Sequence, residues 1–260
     1  MEGLDRILSQ RGLVSKLKTT TNLQRKNEKG QKKSLYKCTK CKDTGYIITP
    51  QEHSQPLMTP CECAEADKVK RLWRSSGINT DDLEKSFKNF ETWNEKSREM
   101  KDTATNYFLR FEEIKADRGN SVLLCGNPGS GKTHIALALA NNFLKKDIKI
   151  VYMPYRDIVT SLKQNMIDEE YYKKTLSKYQ TAEILLLDDL YKGKVNESDI
   201  NIMFELINYR YLNRLPIIVS TEFTIEKLLN FDEAIGSRLY EMSKGYIVEI
   251  EGTENNYRLR

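Results

Sequence analysis

From about residue 80 onward, short apolar runs rich in β-branched residues alternate with longer stretches of helical composition. The runs are Ser121–Cys125, Ile148–Met153, Ile184–Asp188, Ile217–Thr221 and Tyr246–Ile250. Five short strands separated by helices predict a parallel sheet covered on both faces, an α/β fold. Ahead of them, residues 64–80 (AEADKVKRLWRSSGINT) predict a helix ending near Gly77, then a linker. Asn79 or Thr80 is placed to cap a further helix beginning with Asp81, Asp82 and Glu84. No run approaches the ~18 apolar residues of a membrane helix. The densest stretches, such as Ile184–Leu187, are far shorter.

Composition narrows the class. The 260 residues are 39% hydrophobic and 30% charged, which suits a globular chain of one large domain or a small one plus a medium one. The opening Met1-Glu-Gly-Leu-Asp-Arg has no apolar core of a secretory signal, so a cytoplasmic protein is expected, neither secreted nor membrane-bound. Net charge is +5, but it is unevenly spread. Residues 11–42 hold eleven Lys/Arg and one acid, Glu28, giving +10 there against −5 for the rest. Such a block attracts phosphate backbones or an acidic protein face, or is a solvated arm.

Four of the five cysteines lie in residues 38–63, as Cys38-Thr-Lys-Cys41 and Cys61-Glu-Cys63. Two close pairs across a 19-residue loop supply four thiolates to a tetrahedral Zn²⁺, a device by which a module with little core is held together. A disulfide pairing is disfavoured in a reducing compartment. His53 lies between the pairs and reads as a loop residue, since four cysteines complete the site.

The sharpest motif is Gly126-Asn127-Pro128-Gly129-Ser130-Gly131-Lys132-Thr133, between the strand SVLLC and the helical run that begins at His134. It satisfies GxxxxGK[ST] in the strand–loop–helix context that the chemistry needs. Its glycines let the backbone close around phosphates, with amide groups and the helix N-terminus aimed at the anion. Lys132 then reaches the β- and γ-phosphates of ATP, and the Thr133 hydroxyl helps hold Mg²⁺. The strand Ile184–Leu187 runs into Asp188, suited to Mg²⁺, and Asp189, suited to orienting or deprotonating the attacking water. Ser220-Thr221-Glu222 ends a further strand, at the edge where ligands of such sheets collect. Arg238 follows in Ala234-Ile-Gly-Ser-Arg238-Leu, either for a γ-phosphate in trans or as a surface partner of Glu241. Cys125 reads as a small core residue.

Taken in order, CxxC, Asp43-Thr44-Gly45-Tyr46, CxC, GNPGSGKT, LLLDDL, STE and GSRL resemble the bacterial and phage helicase loaders of the DnaC/DnaI type, closest to the phage and prophage branch. The resemblance covers residues 35–260. It implies an AAA+ ATPase core behind a small N-terminal domain that grips a replicative hexameric helicase of the DnaB type. It makes Lys132 and Thr133 the Walker A pair and Asp188 and Asp189 the Walker B pair. Glu222 stands where many loaders carry a polar sensor, often asparagine, so Thr221 and Glu222 compete for that role. Arg238 matches the arginine finger that completes a neighbouring subunit's site, which implies self-association through the ATPase domain. Aspartate at 189, where fast ATPases carry glutamate, suggests slow turnover.

The expected division is therefore 1–75 for the basic arm and helicase-binding zinc domain, 76–95 for a linker, and 96–260 for the ATPase. With ten residues after Ile250 no helical lid is expected, and Arg258 there either substitutes for the arginine sensor of such a lid or, the preferred reading, belongs to a solvated tail. The segment Tyr155–Ala182 interleaves Arg156, Lys163, Lys173, Lys174 and Lys178 with Tyr155, Tyr171, Tyr172 and Tyr179. That mixture suits single-stranded DNA, tracked by charge and base stacking, although some tyrosines are expected to pack on the sheet. A transposition helper of the IstB type, acting on duplex DNA, is the competing reading. A small-molecule kinase and a non-catalytic adaptor are weaker alternatives.

Overall fold

The computed structural model describes residues 36–51, 55–79, 82 and 84–260. His53, Thr80, Asp81 and residues 11–35 of the basic arm lie outside the described residues. The chain forms two compact units, Met1–Glu65 and Ala66–Arg260, the division falling inside helix α1 (Glu62–Ser76).

In the first unit, β1 (Tyr46–Thr49) and β2 (Leu57–Pro60) pair antiparallel, with Tyr46 opposite Pro60 and Ile48 opposite Met58. Every strand residue is exposed. The loop before β1 turns through left-handed backbone at Lys42, Asp43 and Gly45. The Asp43 carboxylate fastens that turn by accepting the N–H groups of Lys37 (3.1 Å) and Cys38 (2.8 Å). Cys61 N–H donates to Gly45 C=O at 2.8 Å, which brings the two cysteine pairs together.

The second unit is a five-stranded sheet of β3 (Val122–Gly126), β4 (Ile150–Pro154), β5 (Ile184–Leu190), β6 (Ile217–Thr221) and β7 (Ile247–Ile250). Its order is β4-β5-β6-β3-β7, all parallel. Successive side chains leave opposite faces, so each unbroken apolar run feeds two cores. Val122, Leu124, Ile184 and Leu186 pack with α2 (Glu95–Ile114) and α3 (Lys132–Lys145). Leu123, Cys125, Leu185 and Leu187 pack on the other side with five further helices. These are α4 (Tyr155–Gln164), α5 (Glu169–Gln180), α6 (Glu197–Leu212), α7 (Ile225–Phe231) and α8 (Glu233–Met242).

Arg210 of α6 is fully buried and donates to the carbonyls of Tyr179, Gln180, Ala182 and Pro216. It ties the carboxyl end of α5 to the chain entering β5 and β6. Burial lowers its pKa to about 9.

Where a helix beginning at Asp81 is expected, the described residues Asp82 and Glu84 have 3-10 conformation and residues 85–94 form irregular chain. Carbonyls that a helix would need are taken by side chains: Asn141 Nδ2 donates to Asp82 (3.3 Å) and Lys85 (2.5 Å), and Asn89 Nδ2 to Glu84 (2.6 Å). Asn94 then starts α2 with a capping box, its side chain and that of Ser97 each accepting the other's N–H.

A candidate nucleotide site at the carboxyl edge of the sheet

The loop after β3 wraps the start of α3. Gly126 adopts φ +108 with Ile250 beneath it; a Cβ there would lie 1.9 Å from the Ile250 carbonyl oxygen. Asn127 N–H donates to that same carbonyl at 2.8 Å, so β7 buttresses the loop. Gly129 (φ +77) leaves the space that Asn256 Oδ1 fills. Ser130 Oγ donates to Asn127 C=O (3.0 Å), closing the loop on itself, and Gly131 precedes the first residue of α3. Lys132 is 5% exposed, and its ammonium donates to the carbonyls of Gly126 and Asn127, both at 2.7 Å. Its pKa is lowered by burial, against the raising effect of Glu222 and Asp189.

Opposite the loop, Asp188 collects three hydroxyls. Thr133 Oγ1 (3.1 Å) and Ser220 Oγ (2.5 Å) donate to Oδ1, and Tyr152 OH (3.1 Å) to Oδ2. Burial raises its carboxyl pKa, the charge of Asp189 adds to that, and the hydroxyls oppose it. A carboxylate that is costly to hold charged, 3.1 Å from a hydroxyl at a phosphate loop, is chemically matched to a hard divalent cation. Thr133 and Asp188 therefore fit Mg²⁺.

Asp189 sits at φ +57, its N–H donating to Ser220 Oγ (2.8 Å) and its Oδ2 accepting from Lys192 Nζ (2.8 Å). Lys192 also lies 3.5 Å from Glu222 Oε1. Ser220 thus orients both acids at once. Sequence reasoning noted its place at the strand end without giving it this role. Thr221 turns inward: its hydroxyl donates to Leu190 C=O (2.9 Å) and accepts from Phe223 N–H (3.1 Å). Glu222 is the member of the pair that lines the cleft.

The cleft has a volume of about 570 Å³. Besides the loop, Asp189 and Glu222, its walls include Phe90, Trp93, Lys192, Tyr257 and Arg258. The first wall comes from the stretch expected to be a linker. His134 fastens it to α3, with Nε2 at 3.1 Å from Ser86 O and 3.2 Å from Asn89 Oδ1. Burial lowers the His134 pKa, which favours the neutral ring. The second wall corrects the expectation of a solvated tail. Tyr257 N–H donates to Gly129 C=O (3.0 Å), its hydroxyl to Glu91 (2.9 Å), and its ring lies 5.1 Å from that of Trp93. Asn94 Nδ2 donates to Asn255 Oδ1 at 2.6 Å. The available signal was the aromatic spacing Phe87, Phe90, Trp93.

Arg238 does not enter the cleft of its own chain. It donates to Asn208 Oδ1 (3.1 Å) and Ala234 C=O (2.7 Å), with its guanidinium 5.1 Å from the Phe204 ring centre. Glu241 instead pairs with Arg118 and Tyr211. In the α4–α5 segment, Tyr155 and Tyr179 are core residues, Tyr172 donates to Glu205, and Lys163 pairs with Asp199. Arg156, Tyr171, Lys173, Lys174 and Lys178 remain exposed.

In the first unit the Sγ atoms of Cys38, Cys41, Cys61 and Cys63 all lie within 4.8 Å of one another. Cys41–Cys63 is 3.2 Å and Cys38–Cys61 3.7 Å, against roughly 3.8 Å for the edge of a Zn–S₄ tetrahedron. The hydrogen bond with Cys63 pushes the Cys41 thiol down to about 6, while Cys63 is pushed up. The four residues fit zinc.

The family model described as IstB-like ATP binding protein matches residues 65–260. The phage-like element PBSX protein XkdC of Bacillus subtilis is 38% identical over 238 residues, covering 87% of this chain and 87% of its own. A solved structure of the DnaC helicase loader aligns with TM-score 0.58 and 22% identity, over 66% of this chain and 99% of that one. One of DnaI aligns with TM-score 0.56 and 18% identity, over 67% and 94%. The last two are likenesses of fold.

Proposed function

The chain belongs to the IstB-like ATP-binding family and its second unit has the AAA+ P-loop fold; from that premise we propose that it is an ATPase that loads a DnaB-type replicative helicase onto single-stranded DNA. The observation that carries the loader reading is the four-cysteine cluster in a unit of its own ahead of the ATPase core. That unit, with Zn²⁺ on Cys38, Cys41, Cys61 and Cys63, is the helicase-binding module. The exposed cations of α4 and α5, with Tyr171, follow the DNA strand.

In hydrolysis, water oxygen bonds to the γ-phosphorus as the bond to the β,γ-bridging oxygen breaks, leaving ADP and phosphate. Asp189 orients that water and takes its proton. Lys132 exchanges the carbonyls of Gly126 and Asn127 for phosphate oxygens. Thr133 and Asp188 hold Mg²⁺, whose charge offsets that of the β- and γ-phosphates. Glu222 senses the γ-phosphate, and Arg238 completes the site of a neighbouring copy. With aspartate in the place of glutamate, turnover is slow and rises on assembly.

The second reading is a transposition helper of the IstB type acting on duplex DNA, and what favours it is the match of residues 65–260 to the IstB-like ATP binding protein model. Light scattering after size exclusion of the full chain with its host's replicative helicase and ATP separates the two. A stable complex, lost when Cys41 and Cys61 are both changed to serine, is the loader result. Absence of a complex together with ATP-dependent binding to duplex DNA favours the helper.

A further inference from the structure

The turn that follows the two acids carries an unusual backbone. Asp189 (φ +57), Tyr191 (φ +61) and Gly193 (φ +91) are all left-handed, within five residues. For two non-glycine side chains this is a strained arrangement that the surroundings must hold in place. Tyr191 supplies the hold. It is 1% exposed, among the rings of Tyr155, Phe223 and Phe231, and its buried hydroxyl has no hydrogen-bond partner among the described residues. The next residue, Lys192, points back into the cleft. Its ammonium takes Asp189 Oδ2 at 2.8 Å and stands 3.5 Å from Glu222 Oε1, while its own N–H donates to Asp189 C=O at 3.1 Å.

The other side of the same turn faces α4. Arg156 Nη1 donates to Lys192 C=O at 3.5 Å, and a Cβ on Gly193 would lie 2.5 Å from that nitrogen. A guanidinium thus rests on the backbone of the turn whose side chain holds the acid. Arg156 is exposed on the first turn of α4, among the cations open to solvent.

We propose that Lys192 is a positioning residue that latches Asp189 at rest, occupying the oxygen a water would use, and that phosphate binding at Arg156 opens the latch through the Lys192–Gly193 backbone. The inference rests on the reading of Asp189 as the group that receives the water's proton. A DNA phosphate that draws Arg156 away removes its contact with the Lys192 carbonyl. The turn then relaxes, the ammonium leaves Asp189, and hydrolysis proceeds at the unlatched rate. The ion pair is half-exposed, so the latch is weak and its release gives a few-fold change rather than an on–off one.

The test uses the full-length protein at saturating ATP, with and without oligo(dT). Lys192→Met raises kcat without DNA roughly threefold, with the KM for ATP unchanged, and oligo(dT) raises it no further. Lys192→Arg, which keeps the charge, raises it less. Without DNA, added salt raises the wild-type kcat by screening the pair and leaves Lys192→Met flat. Arg156→Ala blunts the response to oligo(dT). A lower kcat or a higher KM in Lys192→Met would make Lys192 a phosphate ligand and overturn the latch. So would an undiminished oligo(dT) response in that variant, or a salt-independent wild-type kcat should the variant fail to fold. These failures occur in a wild type that hydrolyses ATP. A wild type that binds ATP and never hydrolyses it overturns the reading of Asp189, and the latch with it.

Discussion

The two units solve the problem of holding strands together in opposite ways. In the second unit, β3 is buried along its whole length and β5 all but so, with two apolar cores flanking the sheet. In the cysteine unit all eight residues of the two strands are exposed, among them Ile48 and Met58 at about 60%. Two four-residue strands without a buried face are not independently stable in water. What remains is the cluster of four sulfurs and the turn that Asp43 fastens. The same chain therefore contains a region stabilised by apolar burial and one whose four clustered thiols fit a metal; on the zinc reading the two should fail under different conditions.

Metal removal tests this contrast most severely. Structural zinc contributes on the order of 10 kcal/mol to small modules, so a strong chelator should unfold residues 36–65 while the sheet keeps its thermal transition. Hydrogen exchange, with loss of protection confined to the first unit, is the readout. Loss of protection across β3–β7 as well would break the comparison. Next in size, Lys132→Ala should lower ATP turnover by about 10²-fold or more, the scale of losing one preorganised charge contact, with zinc content unchanged. Steady-state kinetics beside metal analysis checks both. Leu186→Ala should cost the second unit about 2–5 kcal/mol in denaturant unfolding and leave zinc release untouched.

The smallest effect sharpens the comparison inside the second unit. Burial raises the Asp188 pKa, so the folded state holds this proton more tightly than the unfolded chain does. Its stabilising contribution is present below the ordinary carboxylate range and is lost as pH rises through the raised folded pKa. Asp188→Asn should therefore raise the nucleotide-free stability at neutral pH by about 1 kcal/mol while weakening Mg²⁺-dependent hydrolysis. Thermal melts against pH read this directly: the wild type declines across that window and the variant does not.

The sheet and the phosphate loop were legible in the sequence because their signals are local. A continuous apolar run and an eight-residue motif need no partner to be recognised, and all five strands lie within two residues of their expected positions. The walls of the cleft were not legible, because they depend on partners far along the chain. Asn94 meets Asn255 across 161 positions, and Tyr257 meets Glu91 across 166. Such pairs leave no periodicity. The same limit kept Thr221 and Glu222 unresolved: strand alternation puts one inside and one out, but only the carbonyl of Leu190 shows which. Arg210 was equally hidden, a cation in a helix whose carbonyl acceptors come from two other stretches of chain, Tyr179–Ala182 and Pro216.

The strand order has a consequence for how the protein is made. Of the five strands of the large sheet β3 is the first to leave the ribosome, yet its neighbours are β6 and β7; Val122 pairs with Ile218. At roughly 5–20 residues per second, its central apolar run waits some 5–20 s for a partner. Until β6 arrives, the strand that carries the phosphate loop is an uncovered adhesive surface. That interval is when a chaperone on the nascent chain would matter most, and slower decoding between β5 and β6 would lengthen it.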